Sequence, residues 1–145
     1  MSVINMAKNI KQVHPDFVIC YKVGAFYNCY GKDAYIISFL FRYRIKTVEK
    51  NVPITGFPRN AISRVSAKLE KEKINYILID TKNNYDVDAQ EDFKNLNKYK
   101  EVLEKSKKIV NIRLRIEKIK EKLLEEQDIE KVRKIEDIIN EKWKV

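Results

Sequence analysis

From Arg59 to Val145 the chain contains neither glycine nor proline; all three residues of each kind lie at or before Pro58. Gly and Pro are the strongest local breaks a chain has. The second half therefore has few places to turn sharply and must be built from long elements. Residues 91–145 are dominated by Lys, Glu, Ile and Leu, with apolar residues at helical spacing. The earlier part is rich in β-branched and aromatic residues, which favour strands. This divides the chain into an α/β module over residues 1–88 and a charged, amphipathic helical extension over 89–145.

Within the first part the pattern predicts a helix from Val3 to Val13, stopped by His14 and Pro15, because the residue before proline avoids the helical region. Phe17–Val23 is a continuous apolar run and reads as a buried strand. Gly24 punctuates it, and Phe26–Tyr30 alternates as a second strand. A helix follows through Phe41. Arg42–Val48 alternates and reads as a strand, and Glu49–Asn51 as a turn. Val52–Gly56 is a short strand whose proline marks an edge or a strand start. A helix over 60–73, a strand over 74–80 and a polar connection over 81–88 complete the module. The expected fold is α/β, a small mixed sheet flanked by helices.

In the extension, Ile109, Ile112, Ile116, Ile119 and Leu123 step by three and four, which is a heptad seam suited to packing against another helix. Leu96, Tyr99, Leu103 and Val110 lie on a different face. That change of face predicts a break near Ser106, and Asp128 is the natural cap of a last helix carrying Ile129, Val132, Ile135, Ile139 and Trp143. Two arrangements fit the spacing: a helical hairpin, or a coiled coil formed with a second chain.

The charge narrows the function. Lys and Arg number 30 against 21 acids, a formal net charge of +9, and residues 1–90 hold 14 of the basic and 8 of the acidic side chains. Such a balance favours a polyanionic partner. The longest uncharged run, Val23–Gly31, is far shorter than the roughly 20 residues of a membrane span, and the N-terminal residues lack a basic-then-apolar signal pattern. A cytoplasmic chain without membrane contact is expected. Cys20 and Cys29 are too few for a disulfide scaffold. One histidine disfavours a His-based metal site or triad, and no phosphate-binding loop occurs. No catalytic residue, metal ligand or cofactor is expected. Asp80, Asp86 and Asp88 are the acids closest to a cation-binding group, and this is the weakest of the readings.

Nucleic-acid binding is better supported. Lys22, Lys32, Arg42, Arg44, Lys46, Lys50, Arg59 and Arg64 are interleaved with Tyr21, Phe26, Tyr27, Tyr30, Tyr35, Phe41, Tyr43 and Phe57. Cations bind phosphates in a salt-dependent way, and aromatics stack on bases or wedge between base steps. Alternation along one strand would put Arg42, Arg44 and Lys46 on one face. Lys22, Arg42, Arg44, Lys46 and Arg59 are the candidate phosphate contacts on this charge pattern.

A resemblance sharpens the reading. Tyr21-Lys-Val-Gly-Ala-Phe-Tyr-Asn-Cys-Tyr-Gly-Lys-Asp-Ala34 resembles the signature of the N-terminal mismatch-recognition domain of the MutS family, a Y-[RK]-[MV]-G-x-F-Y-E run followed by D-A at a helix start. Pro53-Ile-Thr-Gly-Phe-Pro58 with Ala61 resembles that family's G-[IF]-P-x-x-A element. The order of elements agrees over about residues 4–80. The resemblance implies a non-catalytic, stand-alone module that binds duplex DNA at mispaired or distorted sites. It implies Phe26 as a wedge beside a mispaired base and places Asn28 where the family has a base-contacting Glu. A neutral amide can donate or accept, whereas a carboxylate only accepts, so the departure bears directly on discrimination. Single DNA-binding modules bury only about 600–1,000 Å², so weak binding is expected unless the helical extension self-associates or recruits a protein partner. The alternative is a protein–protein interaction module that uses the C-terminal helices and keeps the α/β fold as scaffold.

Overall fold

The computed structural model describes residues 2–47 and 51–144. Val48, the end of one expected strand, and Glu49 and Lys50 of the turn after it lie outside the described residues. The elements in chain order are α1 (Val3–Val13), β1 (Val18–Val23), β2 (Phe26–Tyr30), α2 (Lys32–Phe41), β3 (Lys46–Thr47), β4 (Pro53–Pro58), a 3-10 turn (Arg59–Ala61), α3 (Ile62–Lys71), β5 (Tyr76–Asp80), β6 (Asp86–Glu91), α4 (Lys98–Glu125) and α5 (Ile129–Lys142). Among the described residues the strands form one six-stranded sheet in the order β3-β4-β2-β1-β5-β6. It is mixed: β1 pairs antiparallel with β2 and parallel with β5.

Local chemistry sets the element ends. The Ser2 hydroxyl accepts from the Asn5 amide and caps α1, an N-cap contact that stabilises a helix by about 1 kcal/mol. β1 and β2 are joined through Gly24 and Ala25, and Gly24 has φ +60°. Mirror-image hairpin turns, whose twist suits the flanking strands, need a residue of that kind. Arg42 ends α2 in the left-handed conformation.

From Val18 to Tyr21 β1 is covered on both faces, which is why these four residues are apolar without alternation. Val18 and Cys20 point into one core with Tyr27, Ile36, Ile37, Phe57, Val65 and Leu69 from β2, α2, β4 and α3. Ile19 and Tyr21 point into a second core with Ala7 of α1 and Ile77 and Ile79 of β5. Cys20 and Cys29 are free thiols, both buried, with their Sγ atoms 3.3 Å apart.

A buried ionic cluster ties these layers together. Asp33, at the start of α2, is 3% exposed. Its Oδ1 accepts from Lys11 Nζ at 2.7 Å and from Tyr99 Oη at 2.6 Å, and its Oδ2 accepts from the Ile19 amide. Burial pushes the Asp33 carboxyl upward and the Lys11 ammonium downward, while their mutual attraction opposes both. Lys11 also donates to the Phe17 carbonyl and lies over the Tyr99 ring. One carboxylate thus joins α1, β1, α2 and α4.

Three expectations change. Among the described residues of the strand expected over Arg42–Val48, only Lys46–Thr47 is strand, because α2 leaves through a left-handed residue at Arg42 and extended structure resumes only after that exit. The polar connection over 81–88 contains the start of β6, which pairs along β5 with a register shift at Leu78 and Ile79. There is no break at Ser106: α4 is continuous, Ser106 is fully buried, and its hydroxyl donates to the Val102 carbonyl one turn back. The break at Asp128 is present, with its carboxylate accepting from the Glu130 amide.

The chain forms two compact units, one through Val110 and one from Asn111 onward, whereas composition divides it between residues 88 and 89. The first unit keeps β6 and the opening turns of α4, with Tyr99, Ser106 and Val110 buried. The second unit holds the rest of α4 and α5. Ile112, Ile116 and Ile119 of the heptad seam are exposed in it.

Candidate nucleic-acid interface

Strand alternation separates two kinds of β2 residue. Tyr27 and Cys29 enter the core, whereas Phe26, Asn28 and Tyr30 point to the face that carries α1. Phe26 stands at the hairpin tip and is 51% exposed. Of the eight aromatics interleaved with cations in the sequence, it is the exposed one. Tyr27, Phe41, Tyr43 and Phe57 instead stack on one another in the core.

Cross-strand register builds the surroundings of Phe26. It lies opposite Val23 on β1 and Pro58 on β4, and Asn28 lies opposite Tyr21 and Gly56. Gly56 is the residue that sequence reasoning missed. A Cβ there would sit 2.6 Å from Asn28 Oδ1, so glycine is what lets the Asn28 amide lie across β4. The signal was present in the Gly-Phe-Pro element but not its reason. Asn28 Nδ2 also reaches Tyr30 Oη at 3.5 Å, a long contact that leaves the amide's hydrogen-bonding capacity largely unspent.

The cations divide between the faces. Arg59 is exposed and begins the 3-10 turn directly after β4; its amide donates to the Ala25 carbonyl at 3.0 Å, binding this corner to the hairpin tip. Lys46 is opposite Ile54, which is opposite Tyr30, so its register puts it on the Phe26 face. Arg44 is exposed, and its carbonyl accepts from Thr55 Oγ1. Arg42, at the left-handed helix exit, does not continue a strand with Arg44 and Lys46, so the expected stripe of three is not formed. Lys22 points to the opposite face, where its Nζ lies 3.3 Å from Asp80 and 3.2 Å from Asp88. Hydrogen bonds to Asp88 and Asp80 hold that ammonium above its ordinary range. These two acids, weighed above as cation ligands, thus close on a lysine. Among the described residues no group of three His, Cys, Asp or Glu side chains is placed to hold a metal ion, and no helix is long and apolar enough to cross a membrane.

The structure therefore sets Phe26, Asn28 and Lys46 on one face and ties Arg59 to the hairpin tip through its backbone, while the Arg59 charge acts on Asp80 and Tyr27 on the Lys22 side; Arg42 stands apart from them. An exposed aromatic next to an amide with free capacity, flanked by cations, can stack on or wedge against a base while phosphates are held at the edge.

Comparison with known proteins gives the same direction. The family model of MutS domain I matches residues 2–100. The chain is 35% identical over 65 residues to the DNA mismatch repair protein MutS of Parabacteroides distasonis, covering 42% of this chain and 8% of that one. It is 30% identical over 76 residues to the MutS of a Synechococcus strain, covering 49% and 8%. It is 30% identical over 63 residues to that of Chlorobium chlorochromatii, covering 43% and 7%. The chain thus spans less than a tenth of the length of these relatives.

Proposed function

The chain belongs to the MutS domain I family, and from that premise we propose that it is a non-catalytic DNA-binding module that engages mispaired or distorted duplex. In this reading Phe26 is the wedge, Asn28 contacts the base edge, and Arg59, Lys46 and Arg44 meet phosphates. The observation that carries it is the exposure of Phe26 at the hairpin tip, next to Asn28 and the Arg59 corner. A half-exposed phenylalanine, where the seven other aromatics interleaved with cations are buried or half-buried, costs hydration free energy unless something covers it. A cytoplasmic location, with Cys20 and Cys29 as free thiols, is part of the same proposal.

The test is fluorescence anisotropy with matched and mispaired duplexes of one length at two salt concentrations. Tighter binding to the mispaired duplex, lost in Phe26→Ala, supports the wedge. Equal, salt-sensitive binding to both means a basic docking module without discrimination. Absence of binding at low salt refutes the proposal.

The exposed Ile112, Ile116 and Ile119 favour a second reading, in which the helices from Asn111 onward bind a protein partner or a second copy. A chain ending at Val110 separates the two. It keeps DNA binding, apart from lost avidity, under the first reading and loses its function under the second.

A further inference from the structure

The second compact unit leaves an apolar seam bare. Along α4, Ile112, Ile116 and Ile119 are 46–57% exposed, and Leu123 is half-buried. At about 100° of turn per residue these four side chains fall within an arc of about 60°. That is the narrow seam of a helix pair, rather than the broad apolar stripe of a helix bedded in a core or a bilayer surface.

The flanks of the seam carry one sign of charge. Arg113 and Lys120 run along one side of it, and Arg115 and Lys122 along the other. In a helix pair these positions face the corresponding positions of the partner. The acids of the same stretch, Glu117, Glu121 and Glu125, lie away from the seam. Arg115, Lys120 and Lys122 are exposed, and no salt bridge among the described residues engages them. Cations with an acid in reach do use it: Lys131 lies 3.3 Å from Glu126 and Arg133 3.0 Å from Glu130.

This charge pattern selects the occupant. Two copies of the α4 seam would set cation against cation along both flanks, in either orientation, and opposed like charges disfavour such a pair. α5 does not supply the missing anions. Its stripe of Val132, Ile135 and Ile139 is flanked by Lys131 and Ile138 on one side and by Glu136 and Trp143 on the other, so one acid is offset by one base. The bare seam also spans less than two heptads, short of the roughly three or four that mark a self-sufficient coiled coil. Attraction along the flanks has to come from a partner.

We propose that the α4 seam docks an amphipathic helix of another protein, whose own apolar stripe is flanked by glutamate or aspartate. The proposal rests on the reading in which the helices from Asn111 onward bind a partner or a second copy, and it decides between those two occupants.

The probe is a fluorescent synthetic peptide of about three heptads, with isoleucine and leucine in its seam and glutamate at every flanking position. A twin peptide carries lysine at those positions. Each is titrated with the full-length chain and followed by anisotropy at about 0.15 M salt, where only close charges still interact. Saturable binding of the glutamate peptide and none of the lysine peptide is expected. Combining Arg115→Glu, Lys120→Glu and Lys122→Glu weakens the glutamate peptide about tenfold or more, the loss of three flanking ion pairs. The same triple variant gains binding to the lysine peptide, which a merely unfolded helix would not. Ile116→Asp, at an exposed position, abolishes binding of the glutamate peptide.

The free chain is expected to sediment as a monomer. Self-association through the seam keeps the partner-or-copy reading and overturns the proposal. Absence of saturation with the glutamate peptide at about 1 mM also overturns it, while the chain ending at Val110 tests that broader reading by itself. Equal binding of the two peptides overturns it as well. So do tighter binding to vesicles of phosphatidylserine and phosphatidylcholine than to the peptide, which assigns the seam to lipid, and displacement of the peptide by a matched duplex, which assigns the cations to phosphates.

Discussion

Removing the phenol of Tyr99 isolates the link between the helical extension and the α/β module. Tyr99 Oη donates to the buried carboxylate of Asp33 at 2.6 Å, and a hydrogen bond to a charged group contributes about 1.5–3 kcal/mol. Tyr99→Phe keeps the ring and its contact with the Lys11 ammonium, so the expected loss is close to 2 kcal/mol. With a urea m value of about 2 kcal/mol/M, the midpoint falls by about 1 M. Tyr99→Ala also removes a buried aromatic, for a further 3–5 kcal/mol or so. A chain cut after Asp88 loses Tyr99, Ser106, Val110 and half of β6 together, which approaches the whole stability of a typical domain, about 5–15 kcal/mol. Urea unfolding followed by circular dichroism should therefore show a cooperative transition for a chain ending at Val110 and none for the chain ending at Asp88. A Tyr99→Phe midpoint within about 0.2 M of the parent, or cooperative unfolding of the shorter chain, would refute the reasoning.

Arg59→Ala is expected to weaken binding to matched and mispaired duplexes alike and to lower the salt slope by about one, whereas Lys22→Ala, whose ammonium is paired with Asp80 and Asp88, leaves the slope unchanged; anisotropy across a salt series measures both. Gly56→Ala places a Cβ against the far end of the Asn28 side chain, so thermal unfolding should move by no more than about 1 kcal/mol while any preference for a mispaired duplex is lost. Alkaline pH should destabilise the fold. Burial raises the phenols of Tyr21, Tyr76 and Tyr99 above their ordinary 10.0, so the folded state retains protons that the unfolded chain releases, and stability present below pH 10.0 is lost above it. Lys11, whose ammonium burial lowers, acts in the opposite sense. A melting temperature that does not fall between about pH 9 and 11 would contradict this, and Tyr21→Phe should shallow the fall.

The elements that could be read from the sequence are those whose pattern and burial agree. α1 has its cap and its stopping proline, and β1 is apolar from Val18 to Tyr21 because both its faces are covered there. Phe26 and Asn28 share a face because alternation holds along β2. Elsewhere a competing demand prevailed. Arg42 and Arg44 alternate as a strand should, but α2 uses Arg42 as its left-handed exit. β6, Asp-Val-Asp-Ala-Gln-Glu, is an edge strand with little burial on either side, and so has no apolar face to betray it. At Ser106 the apolar stripe changes face without a break, since a continuous helix can bury one stripe through Val110 and leave another bare beyond it. The pairing of Gly56 with Asn28 depends on register between distant strands, which local pattern does not encode.

The distance along the chain between Asp33 and its donors carries a consequence for synthesis. Lys11 and Ile19 leave the ribosome before Asp33 does, but Tyr99 follows 66 residues later, after β5 has emerged to flank β1. Until then the acid has incomplete company in a half-built sheet, and the hairpin bearing Phe26 has no finished scaffold behind it. The module cannot commit to its fold while it is being made; it closes only when the opening turns of α4 arrive, so arrested chains shorter than about 100 residues should remain open to protease.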